Sequence, residues 1–251
     1  MKKLFLLFAT AGLLLASCSN DDNGYDNGNG NQNGESRLLP SKIIYTWLDE
    51  FGTPHNSYTA FVYDDLNRLI KYIQWGHWGS DTLRLYYETG NNPVRVVGRF
   101  VDGDYSSSRE IGISLVGNLL IFNREEGDWT STDTIVVNSS MQIVNWEGRT
   151  FEYDANGNIS QILGSDTATF TYTNIQSVFR YANVPCWLMN WVLDLGFYPA
   201  QGYMPASWSR GSGDDARGST FTYTVDGNWV RTRTTVGGDE NVATFEYINA
   251  R

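Results

Sequence analysis

The chain has 251 residues, with 28 acidic against 18 basic side chains and a formal net charge of −10. A charge this negative argues against nucleic acid or an anionic lipid surface as a partner. Two cysteines and two histidines in the whole chain argue against a disulfide framework and an ordinary zinc site, and aromatics at 14% with six prolines suit a strand-rich body.

In chain order, the first residues join a short basic start (Lys2, Lys3) to an apolar run from Leu4 to Leu15. This reads as a secretory signal over 1–17, outside the fold. The run falls short of the roughly 20 residues a transmembrane helix needs. Leu15-Ala16-Ser17-Cys18 resembles the lipobox of bacterial lipoproteins, and the resemblance implies cleavage before Cys18 and lipid attachment to it. Loss of Lys2 and Lys3 takes the net charge to about −12 and leaves Cys186 as the one free thiol, so no internal disulfide is expected. Residues 19–36, almost all Asn, Gly, Asp and Ser, cannot bury enough apolar surface to order themselves and read as a flexible spacer. Asp21-Asp22 resembles the acidic signal that sends Bacteroidetes lipoproteins to the outer face of the outer membrane. The expected address is an outer-membrane lipid anchor at the cell surface, with the periplasmic face as the alternative.

Residues 37–251 read as a single β-rich domain, long enough to bury roughly 70% of its unfolded surface. Phe61-x-Tyr63, Phe151-x-Tyr153, Phe170-x-Tyr172, Phe221-x-Tyr223 and Phe245-x-Tyr247 place two rings on one face of a strand. The turns DDLNRL at 64–69, DANGNI at 154–159 and TVDGNW at 224–229 follow, and Gly157 and Gly227 suit the positive φ of a tight hairpin. A second theme, Ser/Thr-Asp-Thr in 79–87, 131–137 and 164–172, is expected to close one turn and open the next strand. About fifteen strands follow one another from Lys42 to Ile248. The expected fold is mainly β: a long antiparallel meander curling into a barrel-like or half-barrel sheet. One short helix is expected near 185–196, with Asn183 as N-cap, Pro185 in its first turn, Gly196 as its stop, and Trp187, Leu188, Trp191, Val192 and Leu195 packed onto the curled sheet.

YDDLNRLI at 63–70 and YDANGNIS at 153–160 resemble the YD repeat of Rhs-type wall proteins and toxins. Over the whole domain the order of features is similar to that of a Bacteroidetes lipoprotein group, the domain-of-unknown-function family 4595. The shared features are lipobox, Asn/Asp-rich spacer, YD-like hairpins, a helix ending in Leu195-Gly196, and Met204-Pro205 before the last strands. What the resemblance implies is an antiparallel sheet or barrel on a lipid anchor, and it brings no catalytic residue.

No constellation of reactive residues stands out. There is no His-x-x-x-His, Cys-x-x-Cys or Gly-x-Ser-x-Gly, and Cys186 falls in the apolar stripe of the expected helix. The carboxylate pairs Asp64-Asp65, Glu125-Glu126 and Asp214-Asp215 read as solvated turn residues rather than glycosidase acids. Asp154-x-Asn156-x-Asn158 lacks the glycine position and closing Glu of a calcium loop. No cofactor and no metal are expected. Two sets remain as candidates. Trp75, His77 and Trp78 around a glycine turn, with Tyr86 and Tyr87 on the next strand, could form a ligand-binding platform, since exposed indoles suit sugar rings. Thr82, Thr134 and Thr167, each after Asp and before an apolar residue, resemble the O-glycosylation acceptor of exported Bacteroidetes proteins.

The expected function is thus a surface-anchored lipoprotein of non-enzymatic type that binds glycan or protein. The alternatives are a structural or assembly component of the envelope and an unfamiliar hydrolase. A membrane-spanning barrel is disfavoured, because the chain ends Asn249-Ala250-Arg251 rather than on an aromatic.

Overall fold

The computed structural model describes residues 37–77, 79–190, 202–211, 216–237 and 240–251, together with the backbone of 191–192. The signal, Cys18, the spacer, Trp78, Leu195, Gly196, the side chains of Trp191 and Val192, and Asp214-Asp215 lie outside them. Sixteen strands follow one another. The first eight are β1 (Leu38–Leu48), β2 (Pro54–Tyr63), β3 (Leu69–Gly76), β4 (Gly79–Tyr86), β5 (Arg95–Asp102), β6 (Tyr105–Val116), β7 (Leu119–Glu126) and β8 (Trp129–Val137). Then come β9 (Ile143–Trp146), β10 (Arg149–Tyr153), β11 (Ile159–Leu163), β12 (Ala168–Gln176), β13 (Tyr203–Arg210), β14 (Arg217–Asp226), β15 (Trp229–Val236) and β16 (Asn241–Asn249). Each pairs antiparallel with its sequence neighbours, and β1 pairs with β16 from Leu38↔Asn249 to Thr46↔Val242. The meander is a closed barrel.

Two kinds of turn fix the register. One is a five-residue loop in which an Asp or Asn carboxyl or amide oxygen accepts backbone N–H groups two and four positions on. It recurs at Asp49, Asp64, Asn138 and Asp154. Its fourth residue takes positive φ, and this is Gly52, Asn67, Met141 and Gly157 respectively. The side-chain oxygen substitutes for a backbone acceptor, which lets Asn67 and even Met141 hold a conformation that glycine prefers. The other kind is the two-residue hairpin, as at Gly227-Asn228 between Asp226 and Trp229.

Strand alternation sorts the side chains. Phe61, Phe151, Phe170, Phe221 and Phe245 all point inward and are buried, as their pairing with Tyr positions predicts. The tyrosines do something more specific. Tyr63, Tyr87, Tyr153, Tyr172, Tyr223 and Tyr247 each donate a hydroxyl hydrogen bond to a carbonyl near the start of the preceding strand, at Pro40, Leu69, Ile143, Ile159, Pro205 and Val230. Irregular register at or beside most of these carbonyls or tyrosines marks the points where the ladder would otherwise leave a buried acceptor. The aromatic repeat is therefore one core ring plus one tyrosine tie per hairpin.

That end of the barrel is closed. The connection between β12 and β13 turns inward, burying Val178, Phe179, Val184, Cys186, Trp187, Leu188 and Met189. Phe179 meets Phe61 edge-on at 5.3 Å, and Trp187 meets Phe122 at 5.5 Å while its Nε1 donates to Asn92 Oδ1 at 3.1 Å. Trp187 and Leu188 pack inside the barrel as expected, but the described form of the segment is a single π-helical turn, Leu188–Val192. Asn183 does not cap it. Its backbone and side-chain N–H groups donate to Asn67 and Leu66 carbonyls in the β2–β3 turn, and Pro185 O accepts from Leu188 and Met189.

Ser/Thr-Asp-Thr likewise sits differently from the sequence expectation. It opens β4, but 131–134 lies inside β8, and 165–167 ends before β12.

Candidate functional site

Opposite the closed end, the mouth of the barrel is ringed by the β1–β2, β3–β4, β5–β6, β7–β8 and β9–β10 turns. Here the inward face changes from aliphatic to polar and aromatic. Trp47 and His55, paired across β1 and β2, stack at 5.8 Å, and His77 in the β3–β4 turn meets His55 edge-on at 6.2 Å. Asp49 Oδ2 lies 3.1 Å from His55 Nε2. The Thr53 backbone N–H, then His55, hold the Asp49 carboxyl below the usual range.

Deeper in the mouth, Asp81 of β4 shares the inward parity of buried Leu83 and Leu85. Arg109 of β6 reaches it across β5 in an ion pair, lying over Gly98, which stands opposite both Arg109 and Leu83. A Cβ at Gly98 would come within 2.8 Å of Arg109 Cγ, so the missing side chain is what admits the guanidinium. Asp81 Oδ1 is buried without a hydrogen-bond partner among the described residues. Asp133 of β8 has the parity of buried Ile135 and Val137 and accepts from Trp146 Nε1 at 3.3 Å. Arg233 of β15 is buried over the Phe221 ring at 5.0 Å and donates to Asn241 Oδ1. Exposed Phe51, Tyr105 and Trp129 stand on the rim. The arrangement offers flat apolar faces beside fixed charges and amides, suited to holding a polar ligand.

The sequence-predicted platform is not one surface. Trp75 is on the outer wall, 47% exposed, stacked on Tyr58 at 5.5 Å, with Lys42 Nζ 4.8 Å above the Tyr58 ring. His77 belongs to the mouth. Tyr86 is on the outer wall at the other end of β4, under Arg95 at 4.2 Å, six residues from the Ser80 that pairs with Trp75, hence about 20 Å away. Tyr87 is half-buried and serves as one of the hydroxyl ties. Thr82 and Thr134 lie on the outer wall, and Thr167 is exposed before β12. Trp47, His55, Asp81, Arg109, Asp133 and Trp146 were missed as a group, although the alternation that places Leu83 and Ile135 inward also places Asp81 and Asp133 inward.

The outer wall carries Lys42, Lys71, Arg84, Arg95, Arg99, Glu110, Glu125, Glu152 and Glu246 at outward positions of the pleat. Bilayer-spanning barrels instead present an outward apolar band about 25 Å tall. Among the described residues no group of three or more His, Cys, Asp or Glu could hold a metal ion. Cys186 is in the closed end and both histidines are in the mouth, so Cys186 pairs with neither histidine.

These features define a closed sixteen-stranded antiparallel barrel, dry at one end and polar at the other. No protein-family model matches the chain, and no curated protein matches it. Among solved structures, a porin-like protein from Bacteroides vulgatus is 11% identical, with a TM-score of 0.42 over 85% of this chain and 99% of that one. A porin-like protein from Bacteroides uniformis is 12% identical, with a TM-score of 0.39 over 83% and 96%. Similarity this distant carries no function to the present chain.

Proposed function

We propose that the chain is a non-catalytic binding module, held on the outer membrane by a lipid at Cys18, that presents the open mouth of its barrel to a glycan. The carrying observation is the placement of the two ends. Arg37, the first described residue, leads into β1 at the closed end, so the chain from Cys18 arrives on the side opposite the mouth. Trp47, Trp146 and the rim aromatics supply stacking faces, and the Asp81–Arg109 pair, Asp133 and Asn241 supply hydrogen-bonding groups. A charged outer wall supports a body that stands in water on its anchor.

The test is calorimetric titration of the full lipidated chain in detergent against host and plant glycans, with Trp47→Ala and Trp75→Ala as variants. Loss of binding in Trp47→Ala with retention in Trp75→Ala locates the ligand in the mouth. The reverse pattern moves it to the outer wall, and no binding to any glycan at millimolar concentration rejects the reading and directs the search to protein ligands.

A further inference from the structure

We infer that the closed end of the barrel rests on the lipid surface, through an arc of apolar side chains that takes in the strand where the anchor segment enters. The inference builds on the lipid-anchor reading above and adds an orientation to it. Leu66 in the β2–β3 turn, Leu115, Val116 and Leu119 around the β6–β7 hairpin, Val225 before the β14–β15 turn and Ile248 near the end of β16 are all exposed. Strand direction puts every one of them at the closed end. In the order of strands around the barrel they run from β14 through β16 and β1 to β7. Arg37, leading into β1, stands inside that arc, and Ala250 N donates to its carbonyl at 2.7 Å. On the remaining side the turns at 138–142 and 154–158 expose no large apolar side chain, so among the described residues the apolar surface is one-sided.

Charge favours the same face. At the closed end three turn carboxylates are matched, Asp64 by Arg68, Asp65 by Arg251 and Asp226 by Arg231, whereas Glu88 and Asp154 stand outside these ion pairs. The mouth turns carry exposed Glu50, Asp102, Asp104 and Asp128, so among the described residues the mouth is the more acidic end. An aliphatic arc with most of its turn carboxylates paired can approach headgroups at less cost than an acidic face would meet.

The anchor makes so small an arc sufficient. Eighteen residues separate Cys18 from Arg37, and a flexible chain of that length would span about 23 Å on average. The tether therefore allows stand-off, but it also holds the barrel at an effective concentration on the order of millimolar next to the bilayer. Contacts too weak to recruit a free protein then set the orientation of a tethered one.

The test uses the full lipidated chain in phosphatidylcholine vesicles, isolated by flotation, with a polarity-sensitive thiol label at Val116→Cys or, separately, Phe51→Cys. Cys186 is buried and does not compete for the label. The expected result is a blue-shifted Val116 label that loses most of its intensity when brominated lipid is included, beside a Phe51 label that stays water-like. Val116→Asp with Leu119→Asp should return a label at Leu66→Cys toward water while the chain still floats. Floating chain with water-like labels at both ends overturns the docking and leaves the anchor standing. Chain that fails to float overturns both.

Discussion

Gly202 packs directly on the carboxamide of Asn158, where the returning chain enters β13. Asn158 is fully buried, its Nδ2 donates to Asp154 Oδ2 at 2.9 Å, and its Oδ1 accepts from Tyr203 N at 3.0 Å. Gly202 has φ +66°, and a Cβ there would collide with Asn158 Oδ1 and lie 3.1 Å from Asn156 O. Gly202→Ala should cost roughly 1–3 kcal/mol from overpacking and about 1 kcal/mol more from the left-handed backbone, read as a lower urea midpoint. An unchanged midpoint would show that the β10–β11 turn yields freely.

The tyrosine ties predict alkaline instability. Burial raises the Tyr63 phenol well above its ordinary value, and burial is also the leading cause raising Tyr87, Tyr172, Tyr223 and Tyr247. An unfolded phenol releases its proton near pH 10, where the native one still holds it. Stability is thus fully present below about pH 10 and falls as pH rises from there toward the native values, by up to about 1.4 kcal/mol per pH unit for each such tyrosine. Tyr63→Phe should lose about 1 kcal/mol at neutral pH and make the alkaline decline shallower. A slope indifferent to the substitution would remove Tyr63 from the account.

Trp187 is the centre of the closed end. Trp187→Ala should cost about 3–5 kcal/mol and abolish the near-ultraviolet dichroism of the Phe122–Trp187 contact, whereas Trp187→Phe keeps the filling and loses mainly the Asn92 bond, about 1 kcal/mol. Equal losses in the two variants would contradict this division.

Gly98 and the Asp81–Arg109 pair should prove coupled. Gly98→Ala displaces the guanidinium and costs about 1–3 kcal/mol. Asp81→Asn alone weakens a charge-assisted bond worth roughly 1.5–3 kcal/mol, less at a site where both side chains keep about a quarter of their surface in water. In the Gly98→Ala background Asp81→Asn should cost distinctly less than it does alone. Strict additivity would mean that Arg109 reaches Asp81 without lying on Gly98.

The sequence revealed the scaffold because its signals are local. Phe151-x-Tyr153 and Asp154-Ala155-Asn156-Gly157 state strand, face and turn within seven residues. Closure was not legible, since it depends on the pairing of Ile43 with Phe245, some two hundred positions apart. The segment after Asn183 has helical spacing, yet Asn183 is drawn to Leu66 and Asn67, partners that only the folded barrel brings near. Asp81 and Asp133 look like turn residues in a recurring triplet. Their meaning comes from parity with Leu83 and Ile135, and from Arg109 and Trp146 on other strands. Trp75 and Tyr86 are close in sequence but belong to opposite ends of neighbouring strands.

The seam between β1 and β16 also orders events in time. Until Asn241–Asn249 has emerged, β1 and β15 each present an unpaired edge, and bare edges invite pairing with other chains. A chain still lacking Asn241–Asn249 can form hairpins but cannot shut the ring, so β16 works as a latch, and completion of the barrel waits for it.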